Sequence, residues 1–319
     1  MRYVFASHFG AAMRSLVVEK QALGFSYRSG QYRLAEFDRF CCQEFPMETR
    51  LTQTLVQRWA ELRPGEHPNN RGERLTYVRQ LADYLRAMGE DAFVLPPGMG
   101  GRRIRYLPHI FTRSELDAFF GAADGQSVTP FSPTRHLVVP VLFRLLYTCG
   151  LRPAEAAHLD IGDVDWERGL LHIHQSKGRK DRLVPMAADM WARCQAFDEA
   201  MRILLPHRSA LFPNRYGHRL HPATFDDWFH VLWDAADLGP VAGNAPRLYD
   251  LRHTFCVHRL NQWVREGRDV QALLPYLSGY LGHTSLAMTD YYLHLVPDFY
   301  PDIQRLSQPG AALIPEVRV

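Results

Sequence analysis

Apolar residues recur through the first ninety positions at helical intervals. Phe9, Met13, Leu16 and Leu23 keep near-helical spacing, as do Leu34, Phe37, Cys41 and Phe45. Leu55, Trp59 and Leu62 mark a shorter third helix, and Leu75, Val78, Leu81, Leu85 and Met88 form the clearest stripe. Four such helices with Arg-rich polar faces predict a small helical bundle over residues 1–94. Residues 95–108 (LPPGMGGRRIRYLP) break the pattern with proline, glycine and arginine and predict a linker.

Beyond the linker the pattern is mixed and predicts a second domain over 109–300. Thr112-Arg-Ser-Glu115 has the form of a capping box ahead of Leu116, Phe119 and Phe120. A helix through Leu137–Tyr147 ends at Cys149-Gly150, and Pro153 suits the first turn of the next. Leu170–Gln175 alternates apolar with polar residues, and Arg182–Met186 is a second extended run. With Gly178 in the turn between them, the two predict a β-hairpin. Helices are predicted at 187–204, 222–236, 249–264, 269–281 and 285–295. The fold class is therefore mainly α with a small β-sheet or hairpin, a helical domain preceding a mixed α/β one. The tail, 301–319, is apolar without helical period and reads equally as a frayed end or as a segment that docks on a neighbouring protomer.

Composition narrows the class. With 46% hydrophobic and 22% charged residues the chain is an ordinary globular protein, and 319 residues favour two domains. No stretch approaches the ~20 apolar residues of a membrane span, and the N-terminus lacks a signal pattern. The cysteines at 41, 42, 149, 194 and 256 form no C-x-x-C pair, and their odd number argues against a disulfide framework, so a reducing cytoplasm is expected. Net charge is only +3, but residues 1–105 carry 16 Arg/Lys against 11 Asp/Glu, a balance of +5 that leaves −2 for the rest. A basic N-terminal third fits either a phosphate-neutralising surface or an uneven solvated one. Arg102, Arg103 and Arg105 in the linker could follow a DNA backbone or belong to an inert connector.

Only three of the 37 basic side chains are lysine, and two of them, Lys177 and Lys180, fall in the predicted hairpin turn with Arg179. A lysine kept in an arginine-using chain fits either a place where a proton must be given up, which guanidinium cannot do, or a solvated basic turn that kept its lysines by chance. Three further segments carry candidate chemistry. Thr148-Cys-Gly-Leu-Arg-Pro-Ala-Glu155 places Arg152 at a helix start, which favours anions, with Glu155 one turn on to hold it. Arg247-Leu-Tyr-Asp-Leu-Arg-His-Thr-Phe255 puts Arg252 and His253 beside a core face, where polar groups need partners such as an anionic ligand. Leu281-Gly-His-Thr-Ser-Leu-Ala-Met-Thr-Asp-Tyr-Tyr292 places His283 ahead of a short helix ending in two tyrosines.

Taken in order, G-L-R-x-x-E, S-K-G-x-K-x-R-x-V-P, D-L-R-H-T and L-G-H…Y-Y resemble the tyrosine recombinase (phage integrase) family across the whole second domain. The N-terminal region is similar to that of transposon-borne recombinases of the recombinase-in-trio type. The resemblance implies a helical core-binding, DNA-binding domain followed by a mixed α/β catalytic domain. It also implies a site-specific DNA recombinase working through a 3′-phosphotyrosyl intermediate without metal or nucleotide cofactor. Carried over by motif, Arg152 and Arg252 grip the scissile phosphate, Lys177 protonates the leaving oxygen, His283 assists, and Tyr292 is the nucleophile, with Tyr291 its nearest rival. Glu155 matches the family's supporting acidic position. Tyr249 departs from the family, which usually has histidine three residues before the second arginine; a tyrosine there can donate a hydrogen bond but is a poor base near neutral pH. Either His253 or His283 would then accept the proton, or the site would be slower.

The partners implied are double-stranded DNA with specific recombination sites and further protomers, as a tetramer on DNA or in assembly with sister recombinases. Two other readings are a type IB topoisomerase and a DNA-binding accessory subunit with a decayed site, for which Tyr249 is the best support. His172 and His174 share a strand face, but without nearby Cys, Asp or Glu at ligand spacing no metal is expected. The six tryptophans read as core.

Overall fold

The computed structural model describes residues 3–101, 104, 106–174, 181–239 and 245–295. The chain divides into two compact units, Met1–Tyr106 and Leu107–Val319, with the division inside the segment expected as linker. Arg102, Arg103, Arg105, Lys177, Arg179, Lys180 and the tail 301–319 lie outside the described residues. The fold is mainly helical with one small antiparallel sheet.

The first unit holds α1 (Gly10–Ala22), α2 (Arg28–Glu44), α3 (Gln53–Ala60) and α4 (Pro68–Ala87). Met13, Leu16, Leu34, Phe37, Leu55, Trp59, Leu75, Val78 and Leu81 form its core. Leu23, Leu62 and Met88, which extend the sequence stripes, are instead exposed, because each follows the end of its helix. Arg74 is fully buried yet satisfied. It donates to both oxygens of Glu66 at 2.6 and 2.9 Å and to the Glu61 carbonyl at 2.6 Å, with its guanidinium over the Trp59 ring.

The second unit opens with α5 (Arg113–Asp124), which carries the Thr112/Glu115 capping box, and α6 (Arg135–Thr148). A short α7 (Pro153–His158) leads into β1 (Val164–Asp165), β2 (Leu170–Ile173) and β3 (Arg182–Pro185). The sheet order is β1-β2-β3, all antiparallel, with Leu171 opposite both Val164 and Val184 on the buried face. The sheet thus has one strand more than the hairpin; at two residues, β1 is too short to show a period. Next come α8 (Ala188–Leu204), α9 (Pro222–Ala235), α10 (Asp250–Arg265), α11 (Val270–Leu281) and α12 (Ala287–Asp290), followed by a 3₁₀ turn over Tyr291–Leu295.

Phe111, Phe119, Phe143 and Phe229 centre the main core, with α5, α6 and α9 around them. A second cluster joins α10 to α11 through Phe255, Cys256, Leu260, Leu277 and Leu281, and includes Tyr292. Of the tryptophans, Trp59 and Trp233 are buried and the other four are half-buried. No helix among the described residues is long and apolar enough to cross a membrane.

Candidate active site

The site is built on the end of α11. Gly282 sits in the left-handed region (φ 65°, ψ 46°) and the His283 amide returns to the Ser278 carbonyl at 3.0 Å, the hydrogen bond of a glycine-terminated helix. Three successive carbonyls at this terminus each accept from a different arginine. Arg182 Nε donates to Tyr280 at 2.8 Å, Arg252 Nη2 to Leu281 at 2.7 Å, and Arg152 Nη2 to Gly282 at 3.0 Å. The negative end of a helix suits cations, so α11 acts as a pedestal for the three guanidiniums.

Each arginine arrives from a different element. Arg152 is the N-cap of α7, where Pro153 fixes the first turn. Arg252 comes from the first turn of α10; it is 1% exposed and its Nη1 donates to the Gly150 carbonyl at 2.6 Å. Gly150 has positive φ, and a Cβ there would meet the Phe255 ring at 2.6 Å, so this close approach of α10 requires glycine. Burial works against the Arg252 charge and lowers its pKa, though a guanidinium remains protonated. Arg182 begins β3.

Glu155 joins them. Its Oε2 accepts from the Arg152 amide at 2.9 Å and from Arg182 Nη2 at 2.8 Å; its Oε1 accepts from Arg152 Nη1 at 2.6 Å and Arg182 Nη1 at 2.9 Å. Arg252 Nη1 lies 3.9 Å from the same carboxylate. Burial alone would raise the Glu155 pKa, but the Arg182 and Arg152 bonds and charges outweigh it and bring it down to about 2.

Tyr292 lies beside this cluster and is 3% exposed. Its ring stands 5.4 Å from that of His253 and 6.1 Å from that of His283. Burial, then the neighbouring Cys256 thiol on α10, raises the pKa of its hydroxyl. Tyr291 is half-buried and meets Tyr292 edge-on at 5.8 Å, and it is Tyr292 whose ring contacts both histidines. His283 Nδ1 and the buried Thr289 hydroxyl share a 2.8 Å hydrogen bond, which fixes the ring. Burial and the surrounding arginines lower the pKa of His283 to about 3. Burial, then Arg247 and Arg252, lowers that of His253 to about 4. Both rings are neutral at pH 7. His253 Nδ1 has no hydrogen-bond partner among the described residues. Tyr249 caps α10, half-buried, 5.1 Å from the His253 ring.

The described structure therefore gathers Arg152, Glu155, Tyr249, Arg252, His253, His283 and Tyr292 in one place, from segments up to 140 residues apart. Sequence reasoning missed Arg182. The signal was present in the K-x-R-x-V-P run, whose arginine opens a strand that is otherwise apolar. His172 and His174 line a cleft that adjoins the site at Arg152 and Glu155 and includes Asp163, to which His174 Nε2 approaches at 3.2 Å. Among the described residues no group of three or more His, Cys, Asp or Glu is placed to hold a metal ion.

The model of the phage integrase family matches residues 111–298, a span that begins at Phe111 in the core and takes in every one of these site residues. The chain belongs to the phage integrase family. Relatives extend the likeness over most of its length. The integrase/recombinase-type protein y4rB of Sinorhizobium fredii is 31% identical over 94% of this chain and 96% of its own. Tyrosine recombinase XerD of Vibrio cholerae is 27% identical over 76% of each chain. Among solved structures, this integrase-family chain superposes on the XerH site-specific recombinase bound to difH substrate. The TM-score is 0.66 at 16% identity, covering 90% of this chain and 82% of that one. It also superposes on the Tn1549 transposon integrase in complex with transposon right end DNA, with a TM-score of 0.64 at 15% identity, covering 93% and 99%. At these identities the likeness is one of fold: a two-domain tyrosine recombinase architecture.

Proposed function

We propose that the chain is a site-specific DNA recombinase that cuts and rejoins DNA through a phosphotyrosine bond at Tyr292. The observation that carries this is the placement of Tyr292 against two neutral histidines, beside three guanidiniums arranged around one carboxylate. Formal charge in that cluster is +2, in surroundings where burial strengthens electrostatics, and a phosphodiester arriving there supplies negative charge.

In the proposed reaction, the Tyr292 oxygen attacks the scissile phosphorus and the bond to the 5′ oxygen breaks. Arg152 and Arg252 stabilise the charge that develops on the non-bridging oxygens, with forks that suit phosphate. The tyrosyl proton passes to His253 or His283, and Lys177 gives a proton to the departing oxygen. The bond energy is held in the phosphotyrosine, so the reverse attack by a 5′ hydroxyl of the partner strand reseals the DNA without a nucleotide cofactor. Tyr292 must leave its buried seat beside Cys256 for its oxygen to reach the phosphate. The first unit, through its basic balance, and the Arg102/Arg103/Arg105 segment contribute phosphate contacts, as do Arg179 and Lys180. The active form is a multimer on two DNA sites, of this chain alone or with sister recombinases, acting in the cytoplasm on the nucleoid.

A plasmid with two copies of a bound site tests this class: recombinant circles support it, whereas relaxation that needs no site points to a topoisomerase. Tyr249 favours one second reading, an accessory subunit that binds DNA and cuts poorly; tight binding with neither recombination nor relaxation supports that one.

A further inference from the structure

Of the three arginines on the α11 pedestal, Arg182 differs from the two the phosphate chemistry uses. Each of its guanidinium nitrogens already has a protein acceptor: Nε the Tyr280 carbonyl, Nη1 and Nη2 the two oxygens of Glu155. The side chain is 8% exposed. A planar fork laid across a carboxylate in this way is rigid and charge-assisted. All three of its nitrogens are thus engaged within the protein, whereas Arg252 Nε has no hydrogen-bond partner among the described residues. Its consequences run through Glu155.

Among the described residues Glu155 accepts two hydrogen bonds from Arg182 and two from Arg152, which suits the roughly four lone-pair sites of a carboxylate. The Arg152 pair includes its backbone amide, so the carboxylate sets both the start of α7 and the direction of the Arg152 side chain. Arg182 is also the first residue of β3, paired with Ile173 across the sheet, and the chain between these two strands carries Lys177. Gly282 packs under the same guanidinium: a Cβ there would come within 3.0 Å of Nη1.

We propose that Arg182 is a positioning residue for strand transfer, clamping Glu155 so that the β2–β3 hairpin and Arg152 are held in one register on the end of α11. The inference rests on the reading of the site as a strand-transfer centre. A lysine would not replace Arg182, because a point charge cannot span two carboxylate oxygens and a carbonyl together.

The test is single-turnover cleavage of a nicked duplex at saturating DNA, as a double-mutant cycle of Arg182→Gln and Glu155→Gln, with Arg182→Lys alongside. Misplacement of a reacting group by about 1 Å costs on the order of 10²-fold, so Arg182→Gln is expected to lower the rate by about that factor with DNA affinity unchanged. In the Glu155→Gln background the same change should cost little more. Arg182→Lys keeps charge and stem, carries the test if Arg182→Gln does not fold, and should also lose at least about tenfold.

A pH profile separates this role from a merely structural one. Glu155 faces Arg152 from α7, Arg182 from β3 and Arg252 from α10, with His283 just beyond Gly282. Without Arg182 the burial of Glu155 goes less opposed, so Arg182→Gln should gain an acid limb at higher pH that vanishes in the double variant. A limb that persists there belongs to His283 and overturns the proposal. So do additive losses in the cycle, or a rate loss that tracks DNA affinity. The clamp is also read without DNA, by carbon-13 titration of the Glu155 carboxyl, expected to rise from about 2 in Arg182→Gln. An unchanged titration rejects the clamp even if the wild type forms no adduct, an outcome that would itself reject only the strand-transfer reading.

Discussion

The His283 imidazole and the Tyr292 phenol ring lie nearly parallel, 11° between planes with centroids 6.1 Å apart. Nine residues separate them in sequence, and the hydrogen bond between His283 and Thr289 pins the histidine on the turn that carries the tyrosine. The proposed nucleophile and the candidate proton acceptor thus ride on one short segment anchored at Gly282, while the arginines come from elsewhere. Movement of that segment would carry both groups together.

Both site histidines lose stability to acid. Their folded pKa values, about 4 for His253 and about 3 for His283, lie below the 6.5 of a free imidazole. Their contribution is therefore complete above pH 6.5 and falls as pH drops, down to about 4 for His253 and about 3 for His283. The slope is about 1.4 kcal/mol per pH unit for each ring. Melting measured from pH 7.5 to 4.5 should flatten in His253→Asn relative to wild type; an unchanged slope would place that ring in solvent.

Glu155→Gln should destabilise the DNA-free protein by about 3 kcal/mol, because guanidiniums in shielded positions lose their carboxylate. The depressed pKa of Glu155 means this contribution is present above pH 4.5 and disappears as pH falls toward 2. Urea unfolding at pH 7 and pH 3 checks both points: the gap between variant and wild type should narrow at the lower pH.

Gly282→Ala meets two penalties, a φ of 65° and a Cβ 3.0 Å from Arg182 Nη1. A loss of about 1–2 kcal/mol is expected from the backbone alone. Because Arg182 must give way, cleavage should fall by more than the stability change explains at a temperature where the variant is folded. Equal melting temperatures would show that the turn relaxes freely.

Tyr249, at a position where the family resemblance implies histidine, lies beside His253 at the cap of α10. If its hydroxyl donates to the phosphate, Tyr249→Phe should slow cleavage about tenfold, the size of one hydrogen bond to a charged group. Tyr249→His should leave the rate equal to wild type or above it. A Tyr249→Phe enzyme as fast as wild type would remove Tyr249 from the reaction.

Helical periodicity made most of the fold legible: α6 and α8 to α11 begin and end within two residues of their apolar patterns. Stripe ends were less legible, since Leu23, Leu62 and Met88 fit a helical period although the chain has already turned away. Local motifs also marked the polar site residues, because Arg152 at a helix start and Arg252 on a core face need partners. The pedestal was not legible. Arg182 meets Glu155 across 27 residues and Tyr280 across 98, and Arg252 meets Leu281 across 29; backbone carbonyls carry no sequence signature. Nor did any pattern announce Cys256 beside Tyr292, since a buried cysteine reads as one more apolar position.

Covalent trapping tests the central claim most directly. Wild type, Tyr292→Phe and Tyr291→Phe are incubated with nicked duplexes carrying a site selected for binding from a random pool, then denatured and resolved by mass. Wild type and Tyr291→Phe should each yield a protein–DNA adduct joined at a 3′ phosphate, and Tyr292→Phe none while still binding the DNA. An adduct that survives Tyr292→Phe, or no adduct from a wild-type protein that binds the site, would contradict the assignment of Tyr292 as the nucleophile.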